Sequence, residues 1–453
     1  MEMVKIMDKF YTRMKDLLQD DYESFIEALS EKEVKGLYLN TNKDGYKALD
    51  HKHIKPHPLV TGGYLYDDEA YSPGKSPYFL CGLYYIQEPS AMLVANMIDI
   101  KEDDYVLDMC AAPGGKSCRI ANRLGPDGLL IANDISASRA KILSENIERF
   151  GIDNTIVTNT DPLRFVGVLD GFFDKIILDA PCSGEGMLRK TEEASKTWSP
   201  DKVYECAAIQ KRLIEAAYTL LKPGGQIIYS TCTYSLEENE EIVRYALDHF
   251  DFSLETLPHR DGLMPGIDMN EAIRCYPHHF AGEGQFMALL TKRGETPIKK
   301  PKVLKPKISP EALKNVQNFY KENLNIKVPK LLYENKGHVY ALKRQFPDLG
   351  KIRILRNGLY LGESRKNYFI PSYSLALTLR KDDVKRCYDF PEESNEVAAY
   401  IRGETLEAIG SKGYGVIFVD GYPLSFYKES NAVKNLFPKG LRRSWTVISK
   451  SAI

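Results

Sequence analysis

What this 453-residue chain lacks narrows its possible roles before any motif is read. Lys and Arg (61) are matched by Asp and Glu (62), giving a formal net charge of -1. With no global excess of positive charge, any affinity for nucleic acid must come from local basic patches. No apolar run approaches the roughly 18 residues of a membrane-spanning helix, so no membrane partner is expected. Residues 1–29 mix acids and bases throughout, unlike a secretory leader. There are only eight cysteines, without framework spacing and without C-x-x-C or Cys/His zinc patterns. Free thiols, a reducing cytosol and no structural metal are the expectation. The G-x-G-x-x-G of dinucleotide folds and the P-loop are both missing, and no internal repeat is evident.

What is present is the composition of a globular protein, 43% apolar and 27% charged, in a chain too long for one core. Between residues 5 and 29, Ile6, Phe10, Met14, Leu17 and Leu18 fall at helical spacing. A strand is predicted over 34–40, and the region to residue 75 reads as a small α+β module. Its His51, His53 and His57 read as solvated loop residues. After Gln87-Glu88-Pro89-Ser90, a helix-start pattern, strands and helices alternate. Strands are predicted at 105–109, 129–134, 155–158, 175–178, 226–229 and 286–290, with helices at 116–124, 137–150, 201–221 and 237–248. Such alternation predicts an α/β fold with a parallel doubly wound sheet, here over 76–293. Residues 291–310 carry seven Lys/Arg, one Glu and four prolines, so 294–310 reads as a basic linker. Residues 311–453 offer short strands such as Tyr340-Ala341-Leu342 and helices at 311–323 and 394–401, one or two β-rich modules. A tail of Lys428, Lys434, Lys439, Arg442, Arg443 and Lys450 surrounds Phe437 and Trp445.

Two cysteines follow β-branched runs. Lys175-Ile176-Ile177-Leu178 leads into Asp179-Ala180-Pro181-Cys182-Ser183-Gly184, and Gln226-Ile227-Ile228-Tyr229 into Ser230-Thr231-Cys232-Thr233-Tyr234. Ligands in open α/β sheets bind at the carboxyl ends of strands. Neighbouring parallel strands would therefore bring two thiols and the Asp179 carboxylate together as nucleophile, helper and proton partner. Asp108-Met109-Cys110-Ala111-Ala112-Pro113-Gly114-Gly115-Lys116-Ser117 follows the first strand. Its small residues let backbone approach a ligand, and the helix start favours negative charge. Asp134, twenty positions after Gly114, is placed for ribose hydroxyls, and Asp161 for an adenine amino group. The pattern indicates an adenosyl ligand. Arg189 and Lys190, past the first cysteine loop, are candidates for phosphate or ordinary surface charge. Cys110, Cys118, Cys206, Cys275 and Cys387 read as small buried or half-buried residues.

With Gln87-Glu88-Pro89-Ser90-Ala91, the 110–116 loop, Asp134, Asp161, both cysteine motifs and Gly282-Glu283-Gly284-Gln285-Phe286 in this order, the chain resembles the NOL1/NOP2/Sun family of RNA cytosine-C5 methyltransferases. Within it, it is similar to the bacterial RsmF-like ribosomal RNA enzymes. The resemblance implies a Rossmann-like class I methyltransferase core. It implies S-adenosylmethionine held by Cys110, Ala111, Ala112, Pro113, Gly114, Gly115, Lys116, Asp134, Arg139, Asp161 and Asp179. Cys232 would be the nucleophile, Cys182 would help release the product, and Asp179 would meet the base at N3. An RRM-like module at 1–75 and a PUA-like region over 311–453, of one or two subdomains and marked by the stretch Ile354 to Leu377, are implied as RNA-binding regions. The implied substrate is 16S ribosomal RNA of the small subunit, with tRNA as the alternative, for a cytoplasmic monomer.

Overall fold

The computed structural model describes residues 2–189, 198–295, 301–408 and 410–443, with side chains from Met7 onward. Five parallel strands form its centre, in the spatial order Leu221–Thr231, Phe173–Asp179, Tyr105–Asp108, Leu129–Asn133, Thr155–Thr158. All five residues of Leu129–Asn133 are buried, as expected for strands covered on both faces. Alternation along each strand then divides the core. Leu107, Ile131 and Ile176 pack towards Leu213, Ile214 and Ala217 on one face. Val106, Leu130 and Ile177 pack towards Cys118, Leu143 and Ile147 on the other. Chain order reverses at Tyr105–Asp108, which lies between Leu129–Asn133 and Phe173–Asp179. That reversal opens a crevice at the carboxyl ends. Beyond Leu221–Thr231 the sheet turns antiparallel, through Gln285–Lys292, Met269–Cys275 and Leu263–Gly266.

Helix limits follow side-chain caps. Ser199 accepts from the Lys202 N–H, with Pro200 in the first turn of Pro200–Leu220, the arrangement that satisfies the free N–H groups of a helix start. Glu88 caps Pro89–Val94, accepting from Ser90 and Ala91.

The N-terminal module pairs the helices Glu2–Leu18 and Tyr22–Ser30 with an antiparallel sheet, Ile54–Pro56, Gly63–Tyr66, Lys35–Leu39, Tyr84–Ile86. Its last strand lies beyond residue 75. His57 is not solvated: it is 5% exposed, accepts from the Leu59 N–H and lies 3.2 Å from the Pro89 carbonyl. The histidine therefore ties the module to the catalytic domain, a role its loop-like sequence does not reveal.

The C-terminal region holds the helix Pro310–Asn323 and two four-stranded sheets. One is built from Leu331–Asn335, His338–Leu342, Leu359–Arg365 and Tyr368–Pro371, the other from Cys387–Phe390, Gly413–Val419, Tyr422–Glu429 and Val433–Asn435. Ile354–Asn357, expected in an RNA-binding module, instead pairs antiparallel with Thr155–Thr158 and extends the central sheet. Arg356 anchors it, bonding Glu148 at 2.8 Å, Ser144 and Ser374. Cys387 is exposed rather than buried. Lys190, Trp445, Lys450 and part of the basic linker lie outside the described residues. No described helix is long and apolar enough to cross a membrane.

Candidate active site

Each strand of the parallel core delivers one element of the site from its carboxyl end. Tyr105–Asp108 leads into the loop 109–114, Leu129–Asn133 into Asp134, and Thr155–Thr158 into Asp161. Phe173–Asp179 ends on the carboxylate itself, and Leu221–Thr231 ends one residue before Cys232. These ends surround a cavity of about 560 Å³, lined among others by Cys110, Asp134, Arg139, Asp161, Asp179, Cys182 and Cys232. That volume falls within the usual range for small-molecule sites.

Around Asp134 the positioning groups are mostly backbone. The carboxylate is 2% exposed and accepts from the N–H groups of Ala112 (3.3 Å) and Ser136 (2.9 Å). Arg139 stands 3.6 Å away and donates to the Ala112 carbonyl at 2.7 Å. Gly114 takes a φ of +114°, and a Cβ on Gly115 would lie 2.8 Å from the Gln87 amide. Glycine at both positions lets the loop lie tight against Gln87. Asp161 caps a short turn by accepting from Leu163 N–H at 3.0 Å. A carboxylate has about four acceptor positions, so Asp134 and Asp161 retain sites for a ligand. Cys110 lines this cavity too. Burial, then the carboxylates of Asp108 and Asp134, push its thiol up, which keeps it protonated. Beneath the loop, Asp108 accepts from Ser117 at 2.6 Å. Burial raises Asp108 to about 7.

On the other side stand the thiols. Cys182 Sγ and Cys232 Sγ are 3.2 Å apart. The Cys182 thiol is pushed up, first by its hydrogen bond to Cys232 and then by burial. Either sulfur can donate across this contact, a closeness the two sequence motifs do not contain. Asp179 accepts from Lys116 (2.7 Å), Ser230 (2.7 Å) and Gln285 (3.4 Å). Burial works against the charge on Lys116, but the Asp179 carboxylate outweighs it and holds the ammonium above its ordinary value.

Several features depart from the sequence reading or were missed by it. The Lys116 ammonium, expected among the cofactor-holding residues, bonds Asp179, a partner the sequence does not announce. Ser230 and Gln285 were quoted inside motifs but given no role. Ile209, Arg212 and Leu213 of the helix Pro200–Leu220 line the cavity, which no local signal announced. Arg189 is neither a surface charge nor available to phosphate. It is buried, donating to Glu283, to the Ala28 carbonyl and to the Gly282 carbonyl.

Residues 95–291 match the model described as 16S rRNA methyltransferase RsmB/F, and residues 6–89 that of the N-terminal domain of 16S rRNA methyltransferase RsmF. Residues 318–379 match the RsmF rRNA methyltransferase first C-terminal domain. The methyltransferase RsmF PUA domain matches 387–443, downstream of the 354–377 stretch that had been read as PUA-like. Ribosomal RNA small subunit methyltransferase F of Vibrio vulnificus is 32% identical, covering 97% of this chain and 98% of that protein. Its counterpart from Vibrio campbellii is 33% identical with the same coverage. Among solved structures, a methyltransferase homolog protein from Pyrococcus horikoshii has a TM-score of 0.55 at 33% identity, covering 62% of this chain and 93% of that one. NSun6 from the same organism, solved with SFG, has a TM-score of 0.55 at 25% identity, covering 63% of this chain and 98% of that one.

Proposed function

This chain belongs to the ribosomal RNA small subunit methyltransferase F family, and from that premise we propose that it methylates C5 of cytosine in 16S ribosomal RNA through a covalent Cys232 adduct. The observation that carries the reading is the thiol pair at 3.2 Å beside Asp179. Asp134, Asp161, Arg139 and the 110–116 loop would hold S-adenosylmethionine, which supplies an electrophilic methyl group when bound. Cytosine C5 is too weak a nucleophile to take that methyl unaided, and covalent catalysis answers the need. Cys232 Sγ bonds to C6, the proton it gives up ends on N3, and C5 gains enamine character. The Asp179 carboxylate, held by Lys116, Ser230 and Gln285, accepts the N3–H. The target base reaches the cavity unstacked.

The same geometry explains how one thiol can finish what the other begins. Before addition, the hydrogen bond to Cys232 and then burial both favour the protonated Cys182 thiol. Once Cys232 is a thioether it no longer competes for that proton, which in this reading Cys182 gives up to solvent. As a thiolate it then takes the C5 proton, directly or through water. The Sγ–C6 bond breaks, the C5–C6 double bond re-forms and the N3 proton is returned.

The test is a denaturing gel of labelled 16S ribosomal RNA incubated with cofactor and variant protein. Cys182→Ala is expected to leave RNA covalently attached, while Cys232→Ala leaves none and abolishes methylation. Product from Cys232→Ala, mapped as 5-methylcytosine, would overturn the assignment.

A further inference from the structure

The two thiols ride on loops from different strands, yet stand 3.2 Å apart. The bonds joining those loops converge on Glu185, a residue the mechanism above leaves unused. Glu185 is 2% exposed and follows Cys182 on the first loop. Its Oε2 accepts from Thr233 Oγ1 at 2.8 Å and from the Tyr234 N–H at 2.9 Å. Its Oε1 accepts from Ser235 Oγ at 2.7 Å and from Trp198 Nε1 at 2.9 Å. Three of these four donors belong to the residues directly after Cys232. Two shorter ties reinforce the join: Gly186 N–H donates to the Cys232 carbonyl at 2.9 Å, and the hydroxyls of Ser183 and Thr233 meet at 2.9 Å. A Cβ on Gly186 would stand 3.0 Å from the Cys232 carbonyl oxygen, so the loops are already in contact.

We propose that Glu185 is a positioning residue that sets the distance between Cys182 and Cys232 and so controls release of the methylated base, an inference that rests on the covalent reading above. Cys232 needs only the target base to begin addition. Cys182 must stand within reach of both Cys232 and C5, and misplacement of a reacting group by about 1 Å costs on the order of 100-fold in rate. The release step is therefore the one most sensitive to the tie between the loops.

The chemistry of the donors makes the carboxylate irreplaceable by its amide. Tyr234 N–H and Trp198 Nε1–H can only donate, and they address different oxygens of Glu185. Whichever way a glutamine turns, its NH2 group faces one of them. Glu185→Gln keeps the volume but forces that side apart.

The experiment is a time course with full-length protein, cofactor and labelled 16S ribosomal RNA on denaturing gels, comparing wild type, Cys182→Ala and Glu185→Gln. Glu185→Gln is expected to accumulate covalent RNA, with kcat down 10- to 100-fold and KM for the cofactor unchanged. A residue that only stabilises the fold would lower the melting temperature without changing the fraction of enzyme trapped on RNA. Trapping by Cys182→Ala but not by folded Glu185→Gln overturns the proposal. If Glu185→Gln does not fold, Ser235→Ala, which removes one donor, makes the same test. Trapping by it supports the tie, and its absence overturns it. No trapping by Cys182→Ala removes the covalent reading itself, and this inference with it.

Discussion

The half of the pocket around Asp134 and the half around the two thiols are held by different means. Asp134 is fixed by N–H groups of Ala112 and Ser136 and by a glycine-bearing loop. Cys182 and Cys232 are fixed by buried side chains, and their supports Glu185, Trp198, Gln210 and Glu238 come from several elements. Backbone support is local, so substitutions in the first half should act one at a time. Buried polar networks are worth more than the sum of their pairs and fail together, so substitutions in the second half should be coupled.

The largest expected effect comes from Asp179, which faces both halves. Asp179→Asn keeps its shape but loses the charge that pairs with Lys116. By analogy with removal of one preorganised electrostatic group, kcat should fall about 100- to 1000-fold. Steady-state methylation assays check it, and a loss below tenfold would break the idea that Asp179 serves the reaction.

Glu238 tests the thiol half alone. It accepts from Ser183 N–H (2.9 Å) and Gln210 (3.0 Å) through Oε2, while Oε1 has no hydrogen-bond partner among the described residues. Burial raises it from 4.5 to about 7. Between those values the folded state binds more protons than the unfolded one, so its contribution is full below 4.5 and is lost as pH rises towards 7. Wild type should therefore lose on the order of 2–3 kcal/mol relative to Glu238→Gln between pH 5 and pH 8. Denaturation of both proteins at the two pH values checks the sign. A difference that does not change with pH would mean that Glu238 is already charged in the fold.

Asp134→Asn probes the other half. Loss of a charged hydrogen-bond acceptor, about 1.5–3 kcal/mol, should weaken cofactor affinity some 10- to 100-fold with little change in kcat at saturation. Calorimetry with S-adenosylhomocysteine reads it directly. Arg139→Ala should do least. Its side chain is 56% exposed and 3.6 Å from Asp134, and exposed pairs of this kind contribute about 1 kcal/mol or less. If Arg139→Ala matched Asp134→Asn, the cofactor half would be a coupled network too.

The same contrast explains what could be read from the chain. Asp134, Asp161 and Asp179 were legible because each stands at, or within three residues of, the carboxyl end of a strand-like run. Glu185 and Glu238 were not legible. Each stands among ordinary polar residues, and its value lies in contacts with loops that only the fold brings near. Arg189 followed the same logic in reverse: a basic residue after a catalytic loop suggests phosphate, yet Glu283, far along the chain, takes it. Ile354–Asn357 was recognised as extended, but four residues carry no information about which sheet they join. The convergence of Cys182 and Cys232 was foreseeable from the strands, whereas their 3.2 Å separation depended on the folded loops.

The strand Ile354–Asn357 has a consequence for how this enzyme is made. Until Asn357 has left the ribosome, Thr155–Thr158 presents a bare parallel edge, the kind of template that recruits foreign strands. A chain cut after Lys292 would keep Asp179, Cys182 and Cys232 and still carry that open seam.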